Sequence, residues 1–261
     1  MLTGLAWQIG AACRSGRVEM SYAKELPIFR LQFYLTAAYP CSYLPNKLAR
    51  SQVAAPGNLI DTVVYSELVR YGFRRSGHHV YRPRCDTCRA CVAVRIPVAE
   101  FQLNRTQRRC LARNADLALR LRPLVFNEAH YRLYQLYQAA RHAGGGMDHD
   151  DREQFRSFLL QSRVDSALAE FSLDGEVVMV ALIDKLIDGF SAVYTFFDPD
   201  LEKRSLGAFA VLTQIRLAQE IGLPYVYLGF WIEDCKKMTY KRNYQPLEGL
   251  VDGHWQRLEQ E

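Results

Sequence analysis

The chain has 261 residues and a formal net charge of +5, with aromatic residues at 12% and charged residues at 23%. That length supports one large core or two modest ones, and the composition excludes a polar disordered chain. Seven cysteines, an odd number, fit reduced thiols or metal ligands better than a disulfide framework; with no run of about 18 apolar residues and no basic leader before an apolar run, a cytoplasmic protein without a membrane segment is expected.

Residues 1–20 match no pattern and are read as an extension without an assigned role. From about Leu31 to Val98 the chain is irregular and turn-rich, with one helix expected in "NLIDTVVYSELVRYG". There Ile60, Val64, Leu68 and Tyr71 share a face and Gly72 ends it. "FRRSGHHVYRPR" reads as a turn and a strand closed by Pro83. "CDTCRAC" then places Cys85, Cys88 and Cys91 at two-residue intervals. With Cys41 from "PCSYL" they supply four thiols for zinc or an iron–sulfur cluster, or they pack as reduced cysteines that support the loop.

In "RTQRRCLARNADLALRLR" the arginines stand against a single acid, Asp116. On a helix Arg105, Arg109 and Arg113 line one face with Arg108 beside them. That is either a solvated face or a surface for nucleic-acid phosphates. A further helix is expected in "EAHYRLYQLYQAARH", with Leu133, Leu136, Tyr137 and Ala140 at helical spacing, running into "AGGGMDHDD", read as a loop or lid.

Beyond Ser166 the pattern becomes regular. "SALAEFSL" and "EVVMVALIDKL" are strands joined by Asp174-Gly175, a hairpin signal. "GFSAVYTFFDP" is a third strand. "SLGAFAVLTQIRLAQEIG" is a helix with Leu206, Phe209, Leu212 and Ile215 on one face, Ser205 as N-cap and Gly222 at its end. "PYVYLGFWI" is a fourth strand and "KKMTYKRNY" a short basic helix or turn. The order hairpin, strand, helix, strand is that of an acetyltransferase-like (GNAT) α/β (α+β) domain, in which two neighbouring parallel strands splay to admit an acyl donor.

Two sets of residues carry a resemblance. "YLTAAYPCSYLPNKLAR" with "YGFRRSGHHVYRPRCDTCRACVAVRIPV", and later "YTFFDPDLEKRSLGAFAVLTQIRLAQEIGLPYVYLGFWIEDCKKMTYKRNYQPLEGL", resemble the bacterial aminoacyl-tRNA–protein transferases. These are arginyltransferase relatives that mostly act as aspartate/glutamate leucyltransferases. The resemblance runs from about Phe33 to Trp255. It implies a smaller cysteine-bearing N-terminal transferase domain (21–103), a GNAT-like aminoacyl-transfer domain (104–261), and transfer of an amino acid from charged tRNA to proteins beginning with Asp or Glu, which marks them for degradation. In eukaryotic relatives paired cysteines are implicated in holding metal or an iron–sulfur cluster; here Leu44 stands where a second cysteine would complete the first pair.

Ester aminolysis needs no activated serine or cysteine, and no cofactor is expected for transfer. Alignment and backbone donors facing the oxyanion can carry it. Candidate catalytic residues at the ends of the third and fourth strands are Tyr194, Asp198, Trp231, Glu233 and Tyr240, with Asp198 or Glu233 orienting the amine. The acceptor's carboxylate calls for cations, and Arg50, Arg74, Arg75, Lys237 and Lys241 are the candidates. Arg74 and Arg75 are adjacent and so are expected to diverge. The arginine stripe, together with Arg204 and the amides beside Gly207, is assigned to tRNA. Aromatic residues around the cleft favour a leucyl over an arginyl donor, although that choice rests chiefly on the resemblance. A coenzyme-A-dependent N-acetyltransferase is disfavoured because Phe209 fills the last small position of its phosphate loop. A non-catalytic, metal-knuckled RNA-binding protein leaves the C-terminal half unexplained. Oligomeric state is not legible.

Overall fold

The computed structural model describes residues 30–141 and 151–259, so the 1–20 extension and all of the glycine-rich stretch before Asp151 lie outside the described residues. The N-terminal part runs β1 (Gln32–Leu35), β2 (Tyr39–Pro40), β3 (Leu48–Ala49), β4 (Ser51–Ala55), α1 (Thr62–Arg70), β5 (Arg74–Ser76), β6 (His79–Pro83) and β7 (Val92–Pro97). There follow α2 (Arg105–Arg113), β8 (Ala118–Arg122), α3 (Glu128–Arg141), α4 (Arg152–Phe155), β9 (Ser166–Leu173), β10 (Glu176–Lys185), β11 (Gly189–Phe197), α5 (Leu206–Glu220), β12 (Tyr225–Trp231), β13 (Glu248–Val251) and β14 (His254–Arg257). This mixed α/β fold is built on an eight-stranded sheet of order β14-β13-β7-β12-β11-β10-β9-β8, beside a four-stranded sheet β1-β4-β6-β5 and a small β2-β3 pair.

Asp174 and Gly175 both take positive φ, 51° and 92°, the double left-handed turn whose twist suits a tight hairpin, and β9 pairs antiparallel with β10. Side chains on β10 alternate between two cores. Met179, Ala181 and Ile183 join Phe209, Leu212 and Ile215 of α5, whereas Val180 and Leu182 join Tyr131 and Tyr134 of α3 and Phe155 of α4. The strand is therefore buried on both faces, which explains its unbroken apolar run. The four-stranded sheet has its own core, where Val64, Leu68 and Val69 of α1 meet Phe73 and Val80.

Three local expectations need correction. Ser205 takes φ 56° and makes no side-chain cap bond, because the chain enters α5 from a 3-10 turn over Pro199–Arg204 through a left-handed residue. Tyr71 is exposed, past the end of α1, whose start is capped by the Asp61 carboxylate accepting the Val64 N–H at 2.9 Å. On α3, Leu136 and Ala140 face outward while Tyr131 and Tyr134 are buried. Their rings stand edge-on to Phe155 at 5.4 and 5.1 Å, so aromatic packing decides the buried face.

The site is positioned by β11 and β12. They pair in parallel only where Gly189–Ser191 meets Tyr225–Tyr227. A Cβ on Gly189 would lie 2.4 Å from the Tyr225 carbonyl oxygen, so this close approach requires glycine. Beyond it β11 continues along β10, while β12 continues along β7 through a register shift at Gly229, whose φ is 78°. The two strands part.

Candidate active site

Where β11 and β12 part, a cavity of about 1080 Å³ opens. Its walls are Tyr194 and Thr195 from β11, Leu228 and Gly229 from β12, Gly207 and Ala208 from the first turn of α5, and Arg109 and Arg113 from α2. Lys237, Tyr240 and Lys241 close one side, Arg74 reaches in from β5, and Arg75 borders the floor. Among the described residues that line it there is no aspartate or glutamate. The cavity is cationic.

Arg74 and Arg75 diverge, as neighbours on a strand must. Arg75 turns to Asp184 on β10, with Nη2 to Oδ1 at 2.5 Å and Nε to Oδ2 at 2.7 Å; the two side chains are 1% and 0% exposed. Its charge is matched inside the protein and leaves nothing for a ligand carboxylate. Arg74 enters the gap between the parted strands. Its guanidinium donates to Ser191 Oγ at 3.0 Å, to the Tyr227 carbonyl at 3.4 Å and to the Ala192 carbonyl. A Cβ on Gly229 would come within 3.2 Å of that guanidinium, so the glycine of β12 makes room for it. Arg74 thus satisfies carbonyls on both strands at the point where the ladder stops, and Gly229 and Ser191 are site residues that sequence reasoning missed.

Lys241, on the 3-10 turn Thr239–Asn243, is buried and donates to the Phe230 carbonyl. Burial, and then the charge of Arg74, hold its ammonium down to about 7. Lys237 is exposed at the rim. Arg50 lies elsewhere: it pairs with Asp86 at 3.1 Å and borders a second cavity of about 410 Å³, which also takes in Cys41, Cys85, Cys88 and Cys91. The two cavities share Tyr43, Tyr81 and Phe230 as common wall.

The carboxylates expected to orient the amine do not border the large cavity. Asp198 accepts the Asp200 N–H at 2.9 Å and caps the 3-10 turn, and Glu233 is exposed in the turn after β12. Tyr194 does border it, its ring 5.0 Å from Phe158, as does Tyr240, 6.4 Å from the ring of Tyr244. Trp231 is buried in the core beneath Arg242, 4.7 Å from its ring. Of the arginine stripe, Arg109 and Arg113 reach the cavity, while Arg105 and Arg108 lie exposed on the same helix outside it. Arg204 is held in a two-pronged pair with Asp116 at 2.8 and 2.9 Å, which ties the loop before α5 to the turn after α2. Gly207 stays at the wall, where its missing side chain leaves the cavity open toward Phe197.

The profile of the arginine-tRNA-protein transferase N terminus matches residues 39–109, and that of its C terminus matches residues 129–251. The aspartate/glutamate leucyltransferase of Thiobacillus denitrificans is 60% identical over 235 residues, covering 90% of this chain and 98% of the relative. Those of Chromobacterium violaceum and Nitrosospira multiformis are 55% and 54% identical, each over 92% of this chain. This chain belongs to the aminoacyl-tRNA–protein transferase family.

In this transferase the "CDTCRAC" thiols gather beside the site rather than in it. Cys41, Cys88 and Cys91 pack with Leu44, Ile232 and Cys235, a thiol from the loop after β12 that joins them from far along the chain. Burial, reinforced by repulsion from Cys85, Cys41, Cys88 and Cys235, pushes the Cys91 thiol up to about 12. The donors are of the right type for zinc or an iron–sulfur cluster. As placed they do not fit one: among the described residues no three or more His, Cys, Asp or Glu side chains form a metal-holding group. They pack between the "CDTCRAC" loop and the exit of β12.

Proposed function

We infer that this transferase moves leucine from leucyl-tRNA to the N-terminal α-amine of proteins beginning with Asp or Glu, marking them for degradation through the N-degron pathway. The observation that carries the reading is a cationic cavity with no carboxylate among the described residues that line it, opening where two parallel strands part, in a chain of this family. An anionic donor and an acidic acceptor both suit such walls. A free α-amine has a pKa near 8, so about a tenth is neutral at pH 7 and attack on the ester needs no enzyme nucleophile. Backbone amides on the facing edges of β11 and β12, past the end of the ladder between them, would suit the developing oxyanion.

In this reading residues 104–261 form an acetyltransferase-like (GNAT) domain whose sheet takes in β7 from the smaller cysteine-bearing unit of residues 21–103, and the gap between β11 and β12 takes the aminoacyl end of the tRNA. Arg109 and Arg113 at the mouth hold tRNA phosphates, with Arg105 and Arg108 extending the stripe and the amides beside Gly207 next to the terminal ribose. The acceptor's carboxylate meets Arg74 and Lys237, two of the cavity cations that pair with no carboxylate among the described residues. Tyr194 and Tyr240 shape the leucyl pocket. Transfer is assigned no cofactor, and the thiol cluster is assigned a scaffold role; zinc or iron found in protein purified without oxygen would reassign it to a metal centre. Among the described residues no helix is long and apolar enough to cross a membrane, and a charged-tRNA donor supports a cytoplasmic location.

Arg109→Gln with Arg113→Gln should weaken leucyl-tRNA binding and reduce the slope of log K against log salt by roughly 1 for each phosphate no longer neutralised. An unchanged slope would remove these arginines from the tRNA surface. The function itself is tested by offering labelled leucyl-tRNA and arginyl-tRNA separately with peptides beginning Asp, Glu, Asn and Lys. Leucine transfer to Asp and Glu alone is the expected result; equal reaction of Asp and Asn would remove the carboxylate pocket.

A further inference from the structure

Lys241 stands apart from the other cavity cations. It is 6% exposed, its ammonium donates to the carbonyl of Phe230 near the end of β12, and it borders the cavity. The groups that face it are the guanidinium of Arg74 from β5, the thiol of Cys235 from the loop after β12, and the ring of Tyr240, 5.9 Å from Nζ. No carboxylate lines the cavity among the described residues to hold it charged. Burial first and Arg74 second lower its pKa from 10.5 to about 7, so near neutral pH the amine is available in its unprotonated form. A half-neutral amine reads a carboxylate poorly, which was its expected role. It is suited to taking a proton.

We propose that Lys241 accepts the proton that the acceptor's α-ammonium must lose before it attacks the aminoacyl ester. This rests on the transfer reading above. The Nζ lone pair takes one proton and leaves a neutral α-amine. That amine forms the new C–N bond to the ester carbonyl carbon, the C–O bond to the ribose breaks, and the second nitrogen proton passes to the departing ribose oxygen. Lys241 then returns its proton to water. The Phe230 carbonyl holds Nζ in place, and Arg74, which does not touch the proton, keeps the lysine easy to discharge.

The test is single-turnover transfer of labelled leucine from leucyl-tRNA to a peptide beginning with Asp, followed from about pH 5.5 to about pH 9. The wild-type rate is expected to rise with pH and to level off above about 7 as Lys241 becomes neutral. Lys241→Arg keeps the cation but cannot release its proton, and is expected to lose about 10²–10⁴-fold, with the remaining rate still climbing through the α-amine's own pKa near 8. Lys241→Met removes the buried charge together with the donor to the Phe230 carbonyl, and is expected to show the same loss in its folded fraction. Donor binding by each variant is measured alongside, and the methionine variant decides if the arginine one binds poorly. A donor-binding variant within about twofold of wild type, with the wild-type pH profile, overturns the proposal. Wild-type protein that transfers nothing at any pH overturns instead the reading on which it rests.

Discussion

Asp184→Ala is expected to cost the fold about 3–5 kcal/mol. The Asp184 carboxylate is completely buried and accepts two bonds from Arg75 and one from Ser166 Oγ at 2.7 Å. Alanine leaves the guanidinium inside the protein with only the Gly77 carbonyl and the Ser166 hydroxyl, and desolvation of that charge is no longer offset. Because Arg75 belongs to β5 and Asp184 to β10, the pair also joins the four-stranded sheet to the eight-stranded one. Urea unfolding measures the loss directly. Arg75→Met with Asp184→Leu should recover most of it, since removing both charges leaves no orphan. A single Asp184→Ala variant within about 1 kcal/mol of wild type would mean the pair contributes only as an exposed one does.

Arg74→Met is expected to have the largest effect on transfer. The substitution removes the donors that satisfy the Ala192 and Tyr227 carbonyls and Ser191 Oγ, and each buried acceptor left alone costs about 1–3 kcal/mol. The strands then close or draw in water at the point that sets the width of the gap. Misplacement of the reacting groups by about 1 Å can cost about 10²-fold in rate, and a fall of at least that size in single-turnover transfer is predicted. Stability and rate are separable. If Arg74 acted only as packing, the surviving folded fraction would transfer at the wild-type rate, and that result would contradict its role.

The parts of this fold that could be read in the sequence are those where local signals agree. Asp174-Gly175 between two apolar runs could form little else than the β9–β10 hairpin, and Leu206, Phe209, Leu212 and Ile215 are all buried on α5 as their spacing required. The same dipeptide at Asp252-Gly253, with φ of 50° and 83°, turns β13 into β14, yet "EGLV" and "HWQR" are too short and too polar to signal strands. Strand β7 was missed because Arg95 interrupts its apolar run. In the structure that arginine is buried, pairing with Glu248 at 2.8 Å and lying 3.6 Å from the centre of the Tyr225 ring, partners that only the folded sheet supplies. The site was legible as a composition of cations and tyrosines but not as an assignment. Nothing local distinguishes Arg74 from Arg75, and Lys241 is a base or a charge depending on burial that sequence does not display. The carboxylates at Asp198 and Glu233 looked catalytic only by their place at strand ends, where capping and exposure are the commoner fates.

The claim that the gap between β11 and β12 is where transfer occurs is tested most directly by filling it. Gly207 lines the cavity in the first turn of α5, and a Cβ there would meet only the Phe197 ring, 3.4 Å away, with the rest of the side chain directed at the cavity. Gly207→Trp should therefore leave the fold and Arg109 at the mouth intact while occupying the space for the aminoacyl end. In single-turnover assays with labelled leucyl-tRNA and a peptide beginning with Asp, wild-type protein is expected to transfer leucine and Gly207→Trp to be slower by at least about 10²-fold. Transfer by the tryptophan variant at the wild-type rate would place the reaction outside this cavity.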